Sequence, residues 1–562
     1  MAKDRGQGGV SYRAFAGLRN DVAPERFGPA DLAVATNVDL DKTGRLARRQ
    51  GYTRVVSTPA HSLWAQAATA LFVSGIQLNR LNPDYSATPL ATVGAARMSY
   101  CPLGERTYFS NSTATGVYEG GAVRSWGMAV PALPTAAVVG GALPAGAYQY
   151  TLTHVRADGQ ESGAALAGVI VSTGGAIELT LPALLDAAVV SRNVYLSPPD
   201  GDVLYLAATL PAAQLSYTVS AADVAQLALP LLTQFLQPAP AGQLVTYYKG
   251  YMFVACGTIL YMSEPFAPEL FDLRNYIDLG ETITLLAPLE DRGASGGLFV
   301  GTTKSCGVLA GASPDDFQYV AKTEYGAITG ALAYADGTLI GDGAVGARPL
   351  PIWLTTAGVC IGTPGMAIDN QTLGVYSFAA SGNGAALFLP AHNRFVAVSE
   401  AGTLAMRTSA TPEQKPRPES RMTHYTGYAF NSLATFNGVA LGADAGGIYT
   451  LSGASDAGAP IAATLRLGNT DFGSSFLKGM DRLYAGYRAA APMLLSALTD
   501  GVASPNYPLP ATAGDTVGGR AKLGKGLQAR YWQFTLSNTL GADFVIDALE
   551  VTPANEQRRV HA

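Results

Sequence analysis

A chain of 562 residues is too long for one hydrophobic core and predicts three or four domains. Charged residues make up only 14% and the formal net charge is −5, so the basic excess of a general DNA- or RNA-binding protein is missing. Low charge together with 64 glycines favours a surface covered by neighbours, as in a subunit of an obligate assembly, over that of a freely diffusing enzyme.

In chain order, residues 1–57 read as an extended N-terminal arm: Phe15-Ala16-Gly17-Leu18-Arg19-Asn20, Pro24-Glu25-Arg26, Ala35 to Asp41, then Gly44 to Tyr52. Turn residues punctuate it and no helical period runs through it. Residues 58–130 alternate short apolar runs with Gly, Asn and Asp turns, as in Ala70 to Ile76 and Thr107 to Asn111. Residues 131–237 change character. Tyr148, Tyr150 and Leu152 alternate on one face, Ala157 to Ser162 is a turn, and the block resembles an inserted Ig/fibronectin type III-like sandwich. Ala221 to Leu227 is the one candidate helix.

The hairpin pattern returns over 238–455, in Tyr251 to Gly257, Leu298 to Gly301, Thr338 to Gly341 and Arg394 to Val398. Steps from Phe253 to Phe299 and on to Ile340 match the length of a four-stranded propeller blade. Residues 456–562 read as a C-terminal β-sandwich. The expected fold class is all-β: a β-propeller-like body with the inserted sandwich and the C-terminal sandwich.

No catalytic or metal constellation emerges. Asp39-x-Asp41-x-Thr43-Gly44 opens like a calcium loop, but Gln50 stands where the bidentate Glu belongs, so a turn is expected. Gly293-Ala294-Ser295-Gly296-Gly297 fits G-x-S-x-G, yet a strand rather than a helix follows it. His61, His154, His392, His424 and His561 lie far apart in sequence. Cys101, Cys256, Cys306 and Cys360 lack metal or CxxC spacing and read as buried thiols of a protein made in a reducing cytoplasm. The start of the chain has no apolar signal region and no run of eighteen apolar residues occurs, so neither a signal peptide nor a membrane-spanning segment is expected.

No metal, no cofactor and no enzymatic activity are expected. Tyr148, Tyr150, Tyr195, Tyr205 and Tyr217 serve either a sugar-binding surface or core packing. Arg45, Arg48 and Arg49, close to Lys42 and Arg54, form the densest positive run. They read either as an assembly interface with an acidic neighbour or as a charge-protected edge strand, with DNA contact a third use.

The order of Pro24 to Arg26 and Gly44 to Gly51, followed by blade-like hairpins, resembles the opening of tail nozzle proteins of short-tailed bacteriophages, the tail tubular protein B type. That resemblance implies a structural virion protein in the tail, assembled in the host cytoplasm. It implies a homo-oligomeric ring, commonly a hexamer, below the portal–adaptor complex. The head-to-tail adaptor and the tail fibres or spikes would be its partners, and genomic DNA would pass through the channel without sequence-specific binding. The arm would then dock on a neighbouring subunit or the adaptor. The alternatives are a receptor- or glycan-binding tail protein and a tail-associated polysaccharide depolymerase.

Overall fold

The computed structural model describes residues 10–184, 186–289, 296–311, 313–340, 348–408, 419–480, 482–524 and 526–559. Nearly all regular structure is β. The one α-helix among the described residues, Ala221–Ala225, is a single turn held by a capping box between Ser220 and Asp223. The chain divides into two compact units, one comprising 1–95, 284–310 and 319–562, the other 96–283 and 311–318.

The expected hairpin runs form four-stranded antiparallel meanders. In the second unit they span Ser99 to Arg124 and Leu244 to Asp278. In the first unit they run from His61 to Thr92, through the sheet that begins at Ile283, then Ala327 to Asn370 and Ala385 to Tyr425. A final sheet is built from Ser432–Phe436, Val439–Asp444 and Gly447–Thr450, and its fourth strand is Thr53–Val56 from the N-terminal segment. Several hairpins turn where the sequence offers Gly or Asn at positive φ, as at Gly257 and Asn437. The second strands are apolar on both faces because both are buried: Met252, Phe253, Val254 and Ala255 are all closed to solvent. The sequence pattern places Thr338 in a strand, but Gly337–Leu339 is a 3-10 turn with Asp336 capping Thr338. The second strand of that meander is Pro349–Thr355, and its Trp353 packs on Phe299 with ring centroids 5.6 Å apart.

Within the second unit, residues 135–219 form two antiparallel sheets, of three and four strands. They share one core built on Tyr148, Tyr150, Leu152, Ile177, Val194 and Leu196.

The N-terminal segment differs from an arm that waits for a neighbour. Val10–Arg13 pairs with Phe544–Val551, and Val38–Leu40 and Leu46–Arg48 form a hairpin on the same sheet. Asp31–Thr36 lies between Met422–Tyr425 and Thr464–Leu467 in an eleven-stranded sheet. Its apolar residues Leu32, Val38, Leu40 and Leu46 are buried in the main core of the first unit, alongside Leu465, Leu483 and Ile546. The physical reason is burial: these short alternating runs gain more by completing their own chain's sheets than by remaining solvated. Most strands of residues 456–559 lie in sheets shared with residues 10–48, while Phe476–Gly479, Gln528–Ala529 and Ala554–Arg559 form a three-stranded sheet of their own.

Candidate functional site

The three arginines of the arm have separate environments. Arg49 is 1% exposed, and every nitrogen of its side chain is engaged. Nε donates to Asn37 Oδ1 at 2.8 Å, Nη1 to Gln50 O and Asp456 Oδ1, and Nη2 to Thr426 O and Asp456 Oδ2. The guanidinium also lies 5.3 Å from the ring centroids of both Tyr425 and Tyr428. Next to it Asp39 accepts from the Tyr425 hydroxyl and pairs with Arg394 at 2.8 Å. Burial and the Asp39 charge hold the Tyr425 hydroxyl protonated far above its ordinary pKa. Arg49 is thus a structural pin and presents no donor to another subunit.

Arg48 donates to Ala454 O at 2.9 Å and lies 3.6 Å from Asp543, with its own side chain nearly buried. Arg45 is the exposed member, 2.9 Å from Asp547. Asp41 makes the expected turn: its Oδ1 accepts from the backbone N–H groups of Thr43 and Arg45 and from the Thr43 hydroxyl.

A second ionic cluster lies in the second unit, and the sequence reading missed it. Glu269 is 1% exposed and accepts from Arg124 at 2.7 and 3.0 Å, from Arg156 at 3.1 and 3.3 Å, and from the Gly127 N–H. Arg106 and Arg124 also hold Glu119. Arg156 grips Asp158 and holds its carboxyl down at a pKa of about 2. The Trp126 indole donates to Pro268 O beside the cluster. The three arginines paired with Glu269, Arg106, Arg124 and Arg156, come from segments far from it in sequence, so no local motif announces them.

Exposed apolar side chains are unevenly spread. Of the 23 large hydrophobic residues exposed among the described residues, eleven lie between Leu133 and Phe235, in about a fifth of the chain. Val169 and Val171 stand outward on Gly168–Ser172, an edge strand paired on one side only and carrying no charge. Of the five tyrosines read as a sugar surface or core, Tyr148, Tyr150 and Tyr195 are buried, which is the packing role. The exposed aromatics of this unit lie elsewhere. Phe235 sits under Arg274 at 5.2 Å, and Tyr276 lies across from Tyr261 at 6.1 Å. Five residues of Ala267–Asp278 span what two residues of its partner strand span, so Asp272 to Asn275 bulge outward.

Reactive chemistry is scarce. Among the described residues no three His, Cys, Asp or Glu side chains converge as metal ligands. The four thiols are free, and burial pushes Cys101 and Cys360 up to about 12 and Cys256 and Cys306 up to about 11. Ser295 of the G-x-S-x-G match and His561 lie outside the described residues. A cleft of about 540 Å³ is lined by Ser11, Arg13, Ala16, Asp31 and Glu419. Its Asp31 is already held by the Gly28 N–H and by Arg19. Among the described residues, no helix is long and apolar enough to cross a membrane.

No family profile matches the sequence, and no curated protein matches it. Among solved structures, similarity is found to the exo-β-1,3-galactanase of Phanerochaete chrysosporium with galactose, at 10% identity and a TM-score of 0.21 over 55% of this chain and 95% of that one. A glycoside hydrolase family 43 arabinoxylan arabinofuranohydrolase of Bacillus subtilis gives 11% and 0.17 over 75% and 96%. A Cry1Da tryptic core variant of Bacillus thuringiensis gives 14% and 0.16 over 49% and 52%. TM-scores this low do not indicate a shared chain arrangement.

Proposed function

We propose that this chain is a structural subunit of a multi-copy assembly, of the kind that forms the tail nozzle of short-tailed bacteriophages. In this reading the four-stranded meanders are blades of a propeller-like body, and residues 131–237 are an Ig-like insertion that meets a neighbour. The observation that carries it is the concentration of exposed apolar side chains on an insertion that offers an uncharged edge strand. The scarcity of activated nucleophiles and metal-ligand clusters among the described residues fits a mechanical role. The net negative charge suits a wall past which DNA slides without being held. Arg45, exposed and only ion-paired at the surface, is the one arginine of the N-terminal trio that this reading leaves for contact with an acidic adaptor or sister subunit.

The test is the state of the purified chain, alone and with adaptor-bearing heads, by light scattering and negative-stain microscopy. Closed rings, or tails completed on heads, support the proposal. A monomer at all concentrations that never attaches to heads sinks it. A second reading, a glycan-binding tail protein, is favoured by the exposed Phe235–Arg274 stack with Tyr276 nearby. Retention on host polysaccharide that is lost on Phe235→Ala would support it, and equal retention of both proteins would end it.

A further inference from the structure

An asparagine followed by glycine is open to loss of its side-chain amide, because glycine has no side chain to hinder the backbone nitrogen that attacks it. The chain holds two such pairs, Asn383-Gly384 and Asn437-Gly438. Their surroundings are opposite. Asn383 is bridged to Thr329, and the Gly384 N–H donates to Thr329 O at 2.8 Å. The Asn383 N–H donates to Glu400 Oε1 at 3.2 Å. Gly384 is buried, and a Cβ added to it would lie 2.4 Å from Val398 O.

Asn437 and Gly438 form the tip of the hairpin between Ser432–Phe436 and Val439–Asp444, just beyond the pair Phe436 and Val439. Both have positive φ, 49° and 79°, as the two-residue turn favoured by Asn-Gly requires. Both are exposed. Among the described residues the Gly438 N–H donates to nothing and the Asn437 side chain has no hydrogen-bond partner. A Cβ added to Gly438 would meet nothing within 4 Å.

We propose that Asn437 is a site of spontaneous deamidation in the folded protein, and that the fold protects Asn383. The Gly438 nitrogen gives up its proton and attacks Asn437 Cγ. A new C–N bond closes a five-membered succinimide, the bond from Cγ to the side-chain nitrogen breaks, and ammonia leaves with the proton. Water then opens the ring. Opening at Cγ gives aspartate, and opening at the backbone carbonyl gives isoaspartate, with the chain running through the former side chain. Water is the only co-reactant and nothing is oxidised or reduced. Ring closure needs rotation about the Asn437 Cα–C bond, which an exposed tip permits. At Asn383 the same rotation breaks the hydrogen bond to Thr329. Either product brings a negative charge to the tip. The isoaspartyl product also adds a backbone carbon between Phe436 and Val439, next to a side chain that packs with Leu63, Phe72 and Leu441.

The experiment ages the full folded chain in mildly alkaline heavy-oxygen water and maps its peptides by mass spectrometry. The peptide holding Asn437 should convert to aspartate and isoaspartate, each carrying one oxygen from solvent. The peptide holding Asn383 should convert at least about tenfold more slowly, the cost of opening a hydrogen-bonded backbone. In urea-unfolded chain the two peptides should convert at similar rates, which assigns the difference to the fold. Equal rates at the two sites in the folded chain overturn the proposal. So does an Asn437 peptide that stays intact in the folded chain over a period in which the unfolded chain converts it.

Discussion

Two buried arginines, one in each unit, are met very differently by their own chain. Arg49 in the first unit and Arg192 in the second are equally closed to solvent, and each comes from a β-strand region. Around Arg49 the chain supplies Asp456, three oxygens of Asn37, Gln50 and Thr426, and two tyrosine faces. Around Arg192 it supplies one carbonyl. A buried cation that its own fold satisfies is fixed in place by its partners, whereas one met by a single carbonyl keeps a burial cost that the rest of the block must offset. Position in a basic run singles out Arg49 and passes over Arg192, so it does not tell which of the two charges the fold meets.

The largest expected effect is at Arg49. Arg49→Leu strands Asp456 and Asn37 and should cost about 3–5 kcal/mol. Hydrogen exchange read by mass spectrometry should show the loss in peptides around residues 425–460. Wild-type protection there would contradict the pin. Glu269→Gln comes next: with Arg124 and Arg156 sharing a neutral amide, urea unfolding should report a loss of about 2–3 kcal/mol, smaller because Arg124 is partly solvated. An unchanged midpoint would show that the cluster contributes little net.

The same cluster predicts an acid limb. The Arg156 hydrogen bond depresses the Asp158 carboxyl to about 2 from an ordinary value near 3.8. Its folded-state pKa is lowered, so its contribution is fully present above about pH 4 and is lost as pH falls toward 2. Asp158→Asn should flatten stability across that window, and an equally steep acid limb in the variant would assign the titration elsewhere. The partly exposed, solvent-screened side chain makes this a small term.

The smallest stability change is expected at Arg45. Arg45→Glu breaks an exposed pair with Asp547 and should cost less than about 1 kcal/mol. It isolates assembly from folding, which a triple change of Arg45, Arg48 and Arg49 cannot do because Arg49 is buried. Attachment to heads that survives Arg45→Glu at wild-type yield would remove Arg45 from the proposed interface.

Strand identity was legible because both its signals are local. Tyr251–Cys256 and Arg394–Ser399 carry continuous apolar runs closed by turn residues, and Asp41 to Gly44 carries the side-chain oxygens and glycine that a tight hairpin turn uses. The packing role of Tyr148 and Tyr150 followed from period-two alternation. The Thr338 misreading came from a short apolar run whose preceding Asp336 caps a 3-10 turn instead.

By itself the sequence determined the all-β class, the places where hairpins turn and the change of character at 131–237, since propensity, alternation and turn chemistry act over a few residues. Tertiary structure alone decided which strands share a sheet. It sent Thr53–Val56 to pair with Gly447–Thr450 and Val10–Arg13 to pair with Phe544–Val551. It also decided which charges are met: Arg49 by Asp456, Glu269 by Arg124 and Arg156, and Arg192, among the described residues, by the Pro182 carbonyl and no carboxylate. Such pairings join residues up to several hundred positions apart, and their energy depends on burial and distance, which exist only once the sheets have closed.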